Sequence, residues 1–150
     1  MDFYELTMGN GYLENGMGDT IVYFDMFFRR VPENGGYAIF AGLEQVIDYI
    51  ESIKFTDSDI DFLRSKKIFC EDFLDYLKNF HFTGDIYAIP EGTLIFPREP
   101  IVKVIAPIIE AQLVETAILN IINHQSLIAT KAARVCYAAK GDGIMEFGLR

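Results

Sequence analysis

The run that follows Pro107 constrains this chain most. Leu113, Ala117, Ile121, Ile128, Ala132 and Val135 fall on one stripe at helical spacing, and Val114, Ile118 and Ile122 widen it. Lys140-Gly141-Asp142-Gly143 ends the pattern. Proline suits the first turn of a helix, where its missing N–H costs nothing. A helix this apolar is expected to be buried over most of its length, so the residues before it must build a covering layer.

Those residues read as a mixture of helices and strands. Residues 4–14 can form a short helix with Leu6, Tyr12 and Leu13 as apolar members, although Gly9, Gly11 and Gly16 weaken it. Thr20–Phe28 is rich in β-branched and aromatic residues with apolar side chains on both faces, which predicts a strand covered on both sides. Arg29 and Arg30 close it, the cluster from Pro32 to Gly36 turns the chain, and Tyr37–Phe40 resumes as a shorter strand. Leu43, Val46, Ile47, Ile50 and Ile53 then share a helical face, opposite Glu44, Asp48 and Glu51. Thr56-Asp57-Ser58-Asp59 opens a second helix in the manner of a capping box, and Phe73, Leu74, Leu77 and Phe80 mark a third.

From Gly84 the pattern changes. Asp85–Ile89, Thr93–Phe96 and Ile101–Ile105, separated by Pro90-Glu91-Gly92 and Pro97-Arg98-Glu99-Pro100, predict three strands in an antiparallel meander. After the long helix, Ile144–Phe147 reads as the start of another strand, and the sequence stops at Arg150. A strand with nothing downstream to pair with suggests a truncation point. The expected class is α+β, with residues 1–106 as one domain and residues 107–150 as a linking helix and the start of a second.

Composition narrows the function. The 150 residues carry a formal net charge of −9 and no basic run, which argues against nucleic acid as the main partner. Cys70 and Cys136 form no CxxC pair and have no histidine at ligand spacing, so neither a disulfide framework nor a zinc site is expected. The N-terminus lacks the pattern of a signal peptide, and no stretch is apolar enough for a membrane span. A reduced, cytoplasmic setting is expected.

Several blocks occur together in one order. They are Asp2-Phe3-Tyr4-Glu5-Leu6-Thr7-Met8, Phe27-Phe28-Arg29-Arg30, Asn34-Gly35-Gly36-Tyr37-Ala38-Ile39-Phe40-Ala41-Gly42-Leu43, and Gly84-Asp85-Ile86-Tyr87-Ala88-Ile89-Pro90-Glu91-Gly92. Glu110–Thr116, Asn120–Gln125, Leu127–Arg134 and Met145–Arg150 follow. Together they resemble the N-terminal portion of nicotinate phosphoribosyltransferases, far more specifically than one motif could. The resemblance implies the N-terminal α/β sandwich-type domain of a type II phosphoribosyltransferase, then a linking helix and the first strand of an incomplete α/β barrel. It implies an enzyme that joins nicotinate to phosphoribosyl pyrophosphate (PRPP), in a homodimer, with ATP hydrolysis and Mg2+, through a phosphorylated histidine. Neither His81 nor His124 matches that histidine's context, so no catalytic residue and no metal ligand is expected in this chain, and the chain by itself is expected to be inactive. A nicotinamide phosphoribosyltransferase and a non-catalytic binding or assembly module are the alternatives.

By the same resemblance Tyr4 stacks on the pyridine ring of nicotinate, Phe147 covers its other face, and Arg150 meets phosphate or carboxylate near the substrates. From residue type alone, Tyr4 and Phe147 would be core aromatics and Arg150 a solvated chain end. Glu146 reads as structural. Thr130, Lys131 and Arg134 read as a salt-bridged face, with a cavity or domain contact as the other option. His124 reads as a hydrogen-bonded core histidine, Cys136 as a small buried hydrophobe, and Arg29 and Arg30 as a solvated strand end.

Overall fold

The computed structural model describes residues 1–31 and 35–148. In chain order the elements are α1 (Phe3–Glu14), β1 (Ile21–Met26), β2 (Ala38–Ile39), α2 (Leu43–Ser52), α3 (Asp57–Ser65), α4 (Glu71–Lys78), β3 (Asp85–Ala88), β4 (Leu94–Ile95), β5 (Val102–Pro107) and α5 (Ile108–Ala139). The class is mixed helix and sheet, as expected. β1, β5 and β3 form one antiparallel sheet with β5 in the centre, and β2 pairs with β4 in a second, two-stranded one.

This pairing departs from the expected meander. β4 leaves its neighbours in sequence and joins β2, where Phe40 N–H donates to the Thr93 carbonyl at 3.0 Å and Gly92 N–H to the Phe40 carbonyl at 2.8 Å. The exchange buries Ile95 beside Ala38 and Phe40. It leaves β5 free to take β1 along one edge and β3 along the other, so Val102, Val104 and Ala106 sit in the middle of the sheet's inner face.

β1 is covered on one side only. Ile21 and Tyr23 are exposed, Val22 and Phe24 are half-buried and Met26 is buried. An antiparallel sheet can leave one face to solvent, and here the apolar outer face is left open. The strand expected at Ile144–Phe147 does not form, and residues 142–147 have no regular secondary structure. A single strand without a ladder partner has no way to satisfy its backbone groups, which removes the reason for it to form in this chain.

α5 explains its own composition. Ile109 and Leu113 enter a helical core with Leu6 of α1, Ile60 and Leu63 of α3, and Phe73, Leu74 and Leu77 of α4. Ala111, Val114, Ile118 and Ile122 face the other way, onto the sheet with Val104, Ala106 and Met26. The helix is apolar on most sides because it serves two cores. That holds only for its first half, and Ile128 and Val135, placed on the buried stripe by sequence, are exposed. Pro107 is the last residue of β5 and the N-cap of α5, one position before the first turn.

α1 forms despite its glycines. Asp2 and Glu5 make a capping box at its start. A Cβ on Gly9 would lie 3.1 Å from the Phe73 ring, so the missing side chain lets α1 approach α4. The Thr56 capping box forms as expected, with Asp59 reaching back to the Thr56 amide. At the start of α2, Gly42 adopts φ 106, and Glu91 caps the helix from outside, accepting from the Gly42 and Leu43 amides at 2.5 and 2.7 Å.

Candidate functional site

Tyr4 sits in the first turn of α1, where the capping box fixes the helix start, and it is 42% exposed. With Arg29 and Arg30, three and four residues past the end of β1, and Thr116, Asn120 and Asn123 on α5, it lines an open groove of about 630 Å³. Both arginines are exposed, as expected of a strand end, but they share this groove with Tyr4. An adjoining groove of about 410 Å³ runs between β1 and α5 and shares Phe27, Arg29 and Leu119 with it. In a protein of net charge −9, the Tyr4 groove carries two arginines, Arg29 and Arg30, against the one carboxylate of Asp2.

Glu5 supports this corner from beneath. It is fully buried, and its Oε1 accepts from the Thr116 amide at 2.8 Å and the Thr116 hydroxyl at 2.6 Å. Its Oε2 accepts from the Asp2 amide at 2.6 Å. Thr116 and Glu115 lie beside the Tyr4 phenol. Desolvation pushes that phenol's pKa up, and the Glu115 and Glu5 carboxylates push the same way against an opposing contribution from Thr116. Tyr4 is therefore neutral across the physiological range.

The other expected site residues are not gathered here. Phe147 is 72% exposed on the irregular segment after α5, and among the described residues no ring pair joins it to Tyr4. Arg150 lies outside the described residues. Thr130 is buried and hydrogen-bonded: its hydroxyl accepts from the Ile39 amide at 2.8 Å and donates to the Ser126 carbonyl at 2.6 Å, tying α5 to β2. Arg134 donates to the carbonyls of Gly35 and Tyr37 at 3.3 Å and lies over the Tyr37 ring, while Lys131 is exposed. His124 and Cys136 are both exposed, against the expectation of a core histidine and a buried thiol, because each falls on the side of α5 that no other element covers. Glu5, Thr116, Asn120 and Asn123 escaped the sequence reading as site residues. The Asp2/Glu5 capping-box spacing was the one available signal.

Among the described residues no three His, Cys, Asp or Glu side chains converge on a possible metal position, and no helix is long and apolar enough to cross a membrane. The class that emerges is a mixed helix-and-sheet domain with an open groove lined by the aromatic rings of Tyr4, Phe27 and Phe28 and by two arginines.

Comparison with known proteins makes that class specific. The sequence matches the family described as nicotinate phosphoribosyltransferase (NAPRTase) N-terminal domain over residues 1–123. It is 48% identical to the nicotinate phosphoribosyltransferase of Bacillus subtilis over 99% of this chain and 30% of that protein. It is also 48% identical to one from Mycobacterium tuberculosis, over 99% of this chain and 32% of that protein. The crystal structure of human nicotinic acid phosphoribosyltransferase superposes with a TM-score of 0.91 at 34% identity, covering all of this chain and 31% of that one. A nicotinate-nucleotide pyrophosphorylase from Pyrococcus furiosus shares the fold, with a TM-score of 0.63 at 23% identity. The chain belongs to the nicotinate phosphoribosyltransferase family, matching its N-terminal domain. It spans about a third of the length of the curated relatives it matches.

Proposed function

We propose that this chain is the N-terminal domain of an enzyme that joins nicotinate to PRPP, giving nicotinate mononucleotide and pyrophosphate for NAD synthesis, and that its part in the reaction is to supply one wall of the nicotinate pocket. The observation that carries this reading is Tyr4, half-exposed on a capped helix start and sharing a groove with Arg29 and Arg30. An electron-poor pyridine ring stacked on the Tyr4 face gains about 1 kcal/mol beyond the area it buries. The neutral phenol adds no charge against the nicotinate carboxylate, and the two guanidinium groups favour anionic substrates nearby.

Phe147 is the second face of the pyridine sandwich in this reading, and Arg150 contributes to the phosphate or carboxylate contact. In a homodimer Tyr4 serves the pocket of the neighbouring subunit, so the two faces of the ring come from two chains. The linking helix α5 then leads from a sandwich-type layer into a barrel, whose first strand begins near Ile144 and forms when later strands pair with it. Such an enzyme works in the cytoplasm. ATP and Mg2+ belong to the reading through family resemblance, but no cluster among the described residues fits a metal ion. In this reading the chain by itself does not catalyse the reaction, because neither His81 nor His124 stands in the context of the family's phosphorylated histidine.

Steady-state kinetics test the reading. Tyr4→Ala should raise the KM for nicotinate by about two- to tenfold, the equivalent of a lost stacking contact. An unchanged KM would remove Tyr4 from the pocket. A preference for nicotinamide over nicotinate would move the protein to the sibling activity.

A further inference from the structure

Glu5 is fully buried, on a helix start that needs no second anchor to close its own cap. Its partners lie 111 residues away, on α5. One of them is unusual. The Thr116 amide lies inside a helix that runs Ile108–Ala139, where the regular partner is the carbonyl four residues back, yet it donates to Glu5 at 2.8 Å. The Thr116 hydroxyl has a single hydrogen, and at 2.6 Å that hydrogen is committed to the same carboxylate oxygen. Its lone pairs are left for the side of Thr116 that lines the groove, where the Tyr4 phenol lies beside it.

Burying a carboxylate is a poor way to gain stability, since well-packed apolar groups hold elements together at least as well. What directed hydrogen bonds supply is a single geometry. The two from Thr116 fix the rotation of α1 against α5, the one from Asp2 holds the carboxylate in the α1 cap, and residue 4 is the adjacent position on α1.

We propose that Glu5 is the positioning residue for Tyr4: its buried carboxylate locks Thr116, and the locked pair holds the Tyr4 ring at the groove. The inference rests on the reading of Tyr4 as the nicotinate platform, and it adds the device that sets the ring's orientation. Glu5→Gln weakens that device with almost no change of shape: its NH2 placed at Thr116 meets the Thr116 N–H donor against donor, and placed at Asp2 it keeps Thr116 but breaks the capping box that sets the start of α1. Thr116→Val removes the hydroxyl from the other side, and Thr116→Ser restores it.

Two measurements test this. The first is cross-relaxation between the Tyr4 ring and residue 116, by NMR on the 150-residue chain. The expected result is a contact present in the unchanged protein and in Thr116→Ser, and lost in Glu5→Gln and Thr116→Val. The second is kinetics in the full-length enzyme. There Glu5→Gln and Thr116→Val should raise nicotinate KM by about fivefold with kcat held within about twofold, as expected for a misplaced stacking partner, and Thr116→Ser should restore the KM. Should Glu5→Gln fail to fold, the Val and Ser pair at Thr116 carries the test. A ring contact that survives Thr116→Val overturns the inference, as does a Thr116→Ser protein as impaired as Thr116→Val. Tyr4→Ala separates the two levels. If it leaves KM unchanged, the platform reading fails and the NMR contact alone decides the positioning role. If it raises KM while Glu5→Gln and Thr116→Val do not, the platform stands and the positioning role fails.

Discussion

The two halves of α5 have similar sequences and opposite circumstances. In the first half Ile109, Leu113, Val114 and Ile122 are completely covered, and Glu110 and Thr116 reach out to other elements. In the second half Ile128, Val135 and Tyr137 are exposed, and the chain beyond the helix, through Ile144, Met145 and Phe147, is exposed as well. Both halves carry the same apolar period. The difference is made by what comes before in the chain: α1, α4 and the three-stranded sheet reach the first half, whereas among the described residues the second half is met along one side, at Ser126, Thr130 and Arg134, by the stretch from Gly35 to Ala41. Periodicity shows that a helix has a face to bury, and only the tertiary arrangement shows whether anything arrives to bury it.

The same contrast separates the two aromatic residues assigned to nicotinate. Tyr4 stands on a helix start tied down by Asp2, Glu5 and Thr116. Phe147 stands on a segment without regular structure. If each covers one face of the ring, this domain delivers the first face already built and the second still to be ordered.

The largest effect that can break this comparison comes from equal truncations in the two halves. Leu113→Ala removes a completely covered side chain shared by α1 and α4 and should cost about 2–5 kcal/mol of unfolding free energy. Ile128→Ala, on the same helix and the same predicted stripe, should change it by about 0.5 kcal/mol or less. Chemical denaturation of the two variants decides it. Similar losses would mean that the second half is packed in solution, and the division of α5 would be wrong.

An intermediate effect concerns association. Ile128, Val135, Tyr137, Ile144, Met145 and Phe147 are all exposed large apolar residues of the last quarter of the chain. Exposed apolar area drives association where it is contiguous. The 150-residue chain should therefore self-associate at tens of micromolar, roughly the range of a weak apolar contact. Replacing Ile128 and Val135 by Ser should weaken that association while leaving the fold intact. Sedimentation velocity reads both, and a monomer at those concentrations would show that this end is no more adhesive than the well-covered one.

Local signals in the sequence were reliable where the structure is local. The Thr56 capping box, the start of α2 at Leu43 and the three strands from Gly84 onward all lie close to where the residue pattern puts them. What failed was pairing at a distance. Leu94 and Ile95 join Ala38 and Ile39, and no property of either dipeptide announces it. The site divides in the same way. Residue type alone made Tyr4 a core aromatic, and only the resemblance of its surrounding block pointed to a ligand. Glu5 was invisible because its partner is Thr116 on another element, and a buried glutamate looks like any other glutamate until the fold closes over it. His124 and Cys136 were misjudged for the reason that governs Ile128: they point to the side of α5 away from the buried Ser126 and Thr130.

The smallest effect contrasts buried carboxylates with exposed ones. Glu5 and Glu110 each accept from the amide and hydroxyl of one threonine, Thr116 and Thr83, in covered positions. Glu71 and Asp57 instead join α3 to α4 from the surface, through Arg64 at 3.0 Å and Lys78 at 2.9 Å. The hydrogen bond from Arg64 lowers the Glu71 pKa, and that from Lys78 lowers the Asp57 pKa. A carboxylate whose pKa is lower folded than unfolded stabilises the protein above its unfolded value, roughly pH 4 for these residue types, and that contribution disappears as pH falls through the folded value. Melting temperature should therefore drop between about pH 5 and about pH 3, the range that brackets the unfolded carboxylate value of roughly 4. Arg64→Ala should flatten only the part of that drop that belongs to Glu71. Because these pairs are open to solvent, about 1 M salt should erase most of the difference between Arg64→Ala and the unchanged protein at neutral pH. A salt-insensitive loss as large as that of Leu113→Ala would mean that the α3–α4 surface is as tightly built as the corner beneath Tyr4, and the distinction between a directed buried clamp and an exposed staple would not hold.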